Sequence, residues 1–231
     1  MQPGINRSGY AGPTANLAVT EYMSRVYLWM TLGILLTGLV AWGVGNNQEL
    51  MYALVTNRIL FFGLIIAEFA LVIWLSARIN KMSFSMASSM FMVYAGLNGV
   101  TLSVFSMIYT AESVQTAFFT TTAAFAGLSG FGYVTKRDLG PVGSFCTMGL
   151  FGLVGFAILS IFFPSMMGTN ASKIYGIAGI VIFAGLTAYD TQKIKSMAHG
   201  HSNGAILGAL KLYLDFINLF LFVLRMMGRR R

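Results

Sequence analysis

The chain has 231 residues, 56% hydrophobic and only 10% charged, with a mean hydropathy of +0.72. Soluble domains carry about 25% charged residues, so this chain lacks the polar surface to cover a water-facing globule and reads as a polytopic membrane protein. The net charge of +8 does not point to nucleic acid: the bases sit at the ends of apolar runs, where they set orientation and meet anionic lipid.

Residues 1–24 are polar and rich in Gly, Pro and Ser. They lack the basic start, short apolar core and small-residue cleavage site of a signal peptide, and read as a flexible tail ahead of one transmembrane domain, 25–231. Seven apolar runs follow, at 26–44, 59–77, 84–108, 114–134, 142–163, 174–191 and 205–227. Each approaches the roughly 20 residues a helix needs to cross ~30 Å of hydrocarbon. The expected fold is therefore all-α, a bundle of seven transmembrane helices. The connections are short, and none could hold an extramembrane catalytic domain. Within the runs, Gly149, Gly152 and Gly155, the pair Gly176 and Gly179, and the pair Gly204 and Gly208 have the small-residue spacing that lets helices approach closely in lipid. Cys146, the single cysteine, excludes an internal disulfide and reads as a small buried side chain. His199 and His201 flank a glycine in a loop, and two histidines alone seldom make a metal site.

Lys and Arg are concentrated on the N-terminal side and in the connections after runs two, four and six, which favours a cytoplasmic N-terminus. Seven crossings would then put the Arg229-Arg230-Arg231 tail outside, against the same rule, unless the last run crosses only in part.

Charged groups lie inside or at the edges of the runs, where each is costly without a partner. Asp190 and Asp215 are 25 residues apart, with their midpoint at Ser202 and Asn203 inside the polar stretch 199–204. A hairpin turning there sets both acids at one depth. Glu68 precedes Arg78 by ten residues, and Asp215 precedes Arg225 by ten. Ten helical residues rise about 15 Å, so antiparallel second and last helices could pair Arg78 with Asp215 and Glu68 with Arg225. Plainer readings stand beside these. Asp190, three residues before Lys193, can reach the interface. Asp215 can be neutralised by Lys211, four residues earlier, and Arg78 can snorkel. The small polar groups of Asn98-Gly-Val-Thr-Leu-Ser103 suit hydrogen bonds between helices.

Two carboxylates held together share protons and titrate as a unit. With both protons gone they offer hard oxygen ligands suited to Ca²⁺; with one shared they form a hydrogen-bonded latch. Proton competition then predicts weaker cation occupancy as pH falls.

At these residues a resemblance emerges. Thr187-Ala-Tyr-Asp-Thr-Gln-Lys193, Leu212-Tyr-Leu-Asp-Phe-Ile-Asn-Leu-Phe220 and Gly132-Tyr-Val-Thr-Lys-Arg-Asp138 resemble the Bax inhibitor-type (transmembrane BAX inhibitor motif) family, in its bacterial inner-membrane branch. The resemblance runs from about Glu21 onward. It implies seven helices with the last one surrounded by the others, a multi-pass place in the bacterial inner membrane, and a pH-sensitive calcium leak. It further implies that Asp190 and Asp215 form a proton-sensing and transient calcium-binding dyad, with Glu68 and Arg225 as a latch pair. Arg78 is the candidate gating arginine, although Ser76-Ala-Arg78 does not reproduce the family's basic run. The expected partners are membrane lipid, Ca²⁺ as the permeant ion and protons, with no tightly bound cofactor and no nucleic acid. A second reading makes the chain a regulator that engages a membrane-bound AAA protease through residues 1–24. An intramembrane aspartyl protease is not expected, because Leu-Tyr-Leu-Asp215 lacks the Gly-x-Gly-Asp that opens the backbone to substrate. The chain is thus not expected to be an enzyme.

Overall fold

A computed structural model of the chain describes residues 13–198 and 204–229. Its long elements are helices: α1 (Pro13–Gly45), α2 (Gln48–Thr56), α3 (Arg58–Arg78), α4 (Phe84–Ser103), α5 (Phe105–Ile108), α6 (Ala111–Val134), α7 (Gly140–Phe162), α8 (Thr169–Ser196) and α9 (Gly204–Met227). The all-α, polytopic class read from composition is the one observed. Residues 13–24, part of the stretch read as a tail, are helical in α1. Residues 1–12, half of the stretch given the protease-binding reading, and residues 199–203, which include His199, His201, Ser202 and Asn203, lie outside the described residues.

Among the described residues six helices are long and apolar enough to cross a membrane. The run at 114–134 is the exception. It forms α6, a helix of 24 residues, but Gln115, Thr116, Thr120, Thr121, Thr122 and Ser129 dilute its hydropathy. The connection 45–58 is not a plain loop. It contains α2, started by the Asn47 carboxamide, which accepts a hydrogen bond from the Leu50 amide at 3.1 Å. Asn57 starts α3 in the same way, accepting from Leu60 at 3.0 Å. Both satisfy backbone donors that a helix start leaves free.

The last helix is the axis of the bundle. Of its apolar window, 61% is buried inside the protein, against 6% for α3. It packs on α1, α4, α6 and α8, and Ile206, Ala209, Leu210, Leu212 and Tyr213 are fully enclosed. The helix also runs the full depth of the bundle. Gly204 lies against Tyr22 of α1, while at the far end the Arg229 amide donates to the Ser113 hydroxyl at 2.9 Å. The last helix is thus long and apolar enough to cross in full.

Close approach through small residues decides how α8 seats. Side chains at Gly176 and Gly179 would run into Met226 and Phe222 of α9, and one at Gly149 into Ile182 of α8. Gly208 meets Ile194 and Val26. Gly152 and Gly155, however, face open space, so the three-residue spacing in α7 marks one contact rather than three. Cys146 is buried, as expected, with its sulfur against Gly185.

Gly132 is the tightest of these seats, because a Cβ there would overlap the Ala188 carbonyl. Gly132→Val should therefore destabilise the purified protein by about 1–3 kcal/mol, the usual cost of overpacking, visible as a lower thermal midpoint. Gly152→Ala should stay within about 1 kcal/mol of the parent, since it meets no neighbour and gains helix propensity.

Candidate functional site

The segment 187–193 of α8 is held from three sides. The Thr187 hydroxyl donates to the Phe183 carbonyl at 2.8 Å. Ala188 rests on Gly132 of α6, and Tyr189 on Gly143 of α7. The Thr191 hydroxyl shares a 3.0 Å hydrogen bond with Ser129 of α6, which shares one of 2.6 Å with the Tyr27 hydroxyl of α1. Gln192 accepts from the Leu139 amide at 2.9 Å and donates to the Arg137 carbonyl at 2.8 Å. With all its neighbours fixed, Asp190 is held toward α9, and its side chain is only 14% exposed.

Asp215 sits on α9 and is 5% exposed. Its Oδ2 has no hydrogen-bond partner, an expensive state for a buried acceptor. Asp190 and Lys211 both lie within electrostatic reach of it. Asp190 on α8 and Asp215 on α9 are thus within electrostatic reach of each other across the packed α8–α9 pair. Lys211, one turn before Asp215, places its Nζ 3.7 Å from Asp190 Oδ1. That is an ion pair, too long for a hydrogen bond. Lys193 also acts on Asp190, but it is exposed and donates to the Tyr189 hydroxyl at 3.1 Å. α8 continues six residues beyond Asp190, and the Lys211 ammonium reaches across to Asp190 as well as acting on Asp215 along its own helix.

The pairings expected between the second and last long helices are corrected. Arg78 is exposed at the end of α3, and the described ion pairs are Lys211 with Asp190 and, within α1, Arg25 with Glu21. Glu68 does not meet Arg225. It is 9% exposed and accepts a hydrogen bond from the Thr101 hydroxyl of α4. Arg225 donates to Ser172 Oγ at 2.9 Å and lies 5.1 Å above the Tyr175 ring, both at the start of α8. The physical reason is the position of α3, which packs on α2 and α4 at the periphery. The stretch 98–103 does supply hydrogen bonds between helices, through Thr101. A further buried link ties three helices: Thr37 of α1 shares a 2.7 Å hydrogen bond with the Tyr213 hydroxyl and donates to the Ala95 carbonyl at 2.8 Å.

Among the described residues no three His, Cys, Asp or Glu side chains converge as a metal site. Asp190 and Asp215 therefore offer carboxylate oxygens from two residues among those described.

A family model described as inhibitor of apoptosis-promoting Bax1 matches residues 19–231. The inner membrane protein YbhL of Escherichia coli K12 is 44% identical over 220 residues, covering 91% of this chain and 92% of that protein. Protein RP147 of Rickettsia prowazekii is 38% identical over 226 residues, covering 94% and 93%. A protein of Borreliella burgdorferi is 37% identical over 222 residues, covering 93% and 94%. With its apolar spans, this chain is a multi-pass protein of the bacterial inner membrane.

The Glu68–Thr101 contact makes a separable prediction. Thr101→Val leaves a buried carboxylate without its donor and should cost about 1–3 kcal/mol, read as a lower thermal midpoint. Adding Glu68→Gln to that variant removes the charge and should recover most of the loss; an equal loss in the double variant would contradict the assignment.

Proposed function

Because this chain belongs to the Bax inhibitor-type family, we propose that it is a pH-sensitive calcium leak channel in which Asp190 and Asp215 form the proton-controlled element. The observation that carries this reading is Asp215 itself: a nearly fully buried carboxylate on the central helix, with one oxygen unbonded and a second acid in electrostatic reach. A purely structural acid would have its oxygens satisfied. An oxygen left open in the middle of a bundle suits a group that exchanges ligands.

The chemistry follows from charge. Protonated, the pair is a neutral latch that α8 and α9 can close around. Deprotonated, it presents hard oxygens to a divalent cation. Ca²⁺ prefers 6–8 oxygen ligands, and two carboxylates fall short of that. A site this sparse favours passage over retention, which agrees with a leak rather than a store. Protons and calcium compete for the same oxygens, so acidification weakens cation occupancy.

The purified protein, reconstituted into calcium-loaded vesicles, should release calcium at a rate that depends on pH. Acidification should raise the half-saturating calcium concentration. Asp215→Asn should change the rate by about tenfold or more, the equivalent of one charge-assisted contact, and flatten its pH dependence. Vesicles that stay tight at every pH would overturn the reading.

A further inference from the structure

We propose that Lys211 is a built-in competitor for the permeant cation: its ammonium stands at the aspartate pair in the closed bundle and must withdraw for a divalent cation to enter. The proposal rests on the channel reading above and deepens it by naming what holds the site when no ion does.

Three observations converge on this side chain. First, Lys211 with Asp190 is the ion pair among the described residues that joins two helices; Arg25 with Glu21 lies within one helix and is exposed. Second, Lys211 belongs to the helix that carries Asp215, and its charge acts on both acids. Third, the fit is incomplete. The ammonium stops 3.7 Å from Asp190 Oδ1, and Asp215 Oδ2 is enclosed without a donor. One positive charge faces two carboxylates, so the site is held but not saturated.

The residue type suits the task. Lysine is a compact point charge on a flexible four-carbon stem, without the fixed two-pronged geometry of arginine. Lys211 is 33% exposed, so its stem can carry the ammonium out toward the bundle end while the aliphatic part stays covered. A divalent cation neutralises both carboxylates, which one ammonium cannot. Lys193, the other base acting on Asp190, is turned outward to Tyr189 and cannot take the same place. Thr191, the residue after Asp190, is engaged by the uncharged hydroxyl of Ser129 from α6, which in turn meets that of Tyr27 from α1.

The test is equilibrium binding of radioactive calcium to purified protein at one fixed pH, with vesicle leak measured in parallel. Lys211→Met should tighten calcium binding on the order of tenfold, as removal of one nearby charge predicts, and raise the leak at low calcium. Lys211→Gln, which keeps a polar contact to Asp190 without the charge, should act alike and serves if the methionine variant does not fold. Lys211→Arg should keep binding weak. Asp215→Asn should abolish binding in every background. Unchanged or weaker binding in both neutral variants, with Asp215→Asn still abolishing it, would overturn the competitor and leave the aspartate reading standing. Calcium binding to none of the proteins would overturn both.

Discussion

A carboxylate carried by the most enclosed helix of a membrane protein sets the terms for everything around it. Asp215 is enclosed by its neighbours, so each group that satisfies it must come from within the bundle. That requirement gives the packing of α8 its purpose. Gly132 and Gly143 let α6 and α7 close on either side of Ala188 and Tyr189, while Gly176 and Gly179 let α8 close on α9. The result is a second acid held at the surface of the first one's helix.

The polar groups along α9 fall into separate levels. Lys211 pairs with Asp190, and Asp215 lies within electrostatic reach of both, in the first half of the helix. Tyr213 points away from that pair into a hydroxyl link with α1 and α4. Arg225 closes the other end against Ser172 and Tyr175. Fourteen residues separate Lys211 from Arg225, about 21 Å of helix. The two bases of this helix therefore serve opposite ends of the membrane, and only one of them bears on the acids. The levels are joined by apolar packing around Tyr213, whose ring meets Phe91 and Tyr94 edge-on at 5.5 and 5.9 Å.

What the sequence revealed, and what it hid, divides along one line. Features carried by consecutive segments were readable: the apolar runs, the meeting of α8 with α9, and the place of the last helix given by its likeness to a known family. Features that depend on which distant helices touch were not. Matching the ten-residue spacings of Glu68 with Arg78 and Asp215 with Arg225 fixed depth but not adjacency, and depth alone fits several arrangements. A signal was present, since α3 and α7 are the most apolar spans and also the least buried. A helix that faces lipid over most of its surface is a poor partner for a central acid. Lys211 was visible as a neighbour of Asp215, but spacing along one helix does not show that a long side chain crosses to the next. α6 was read as a span from its run, although its threonines and serines dilute its hydropathy; of these, Ser129 is spent on contacts inside the bundle.

The central claim is that the two acids act on each other. Infrared difference spectra of the reconstituted protein, recorded as pH is varied, isolate the carboxyl band that disappears in Asp215→Asn. If the acids are coupled, Asp190→Asn shifts the pH at which that band titrates. A band that titrates at the same pH with and without the Asp190 carboxylate would contradict the account.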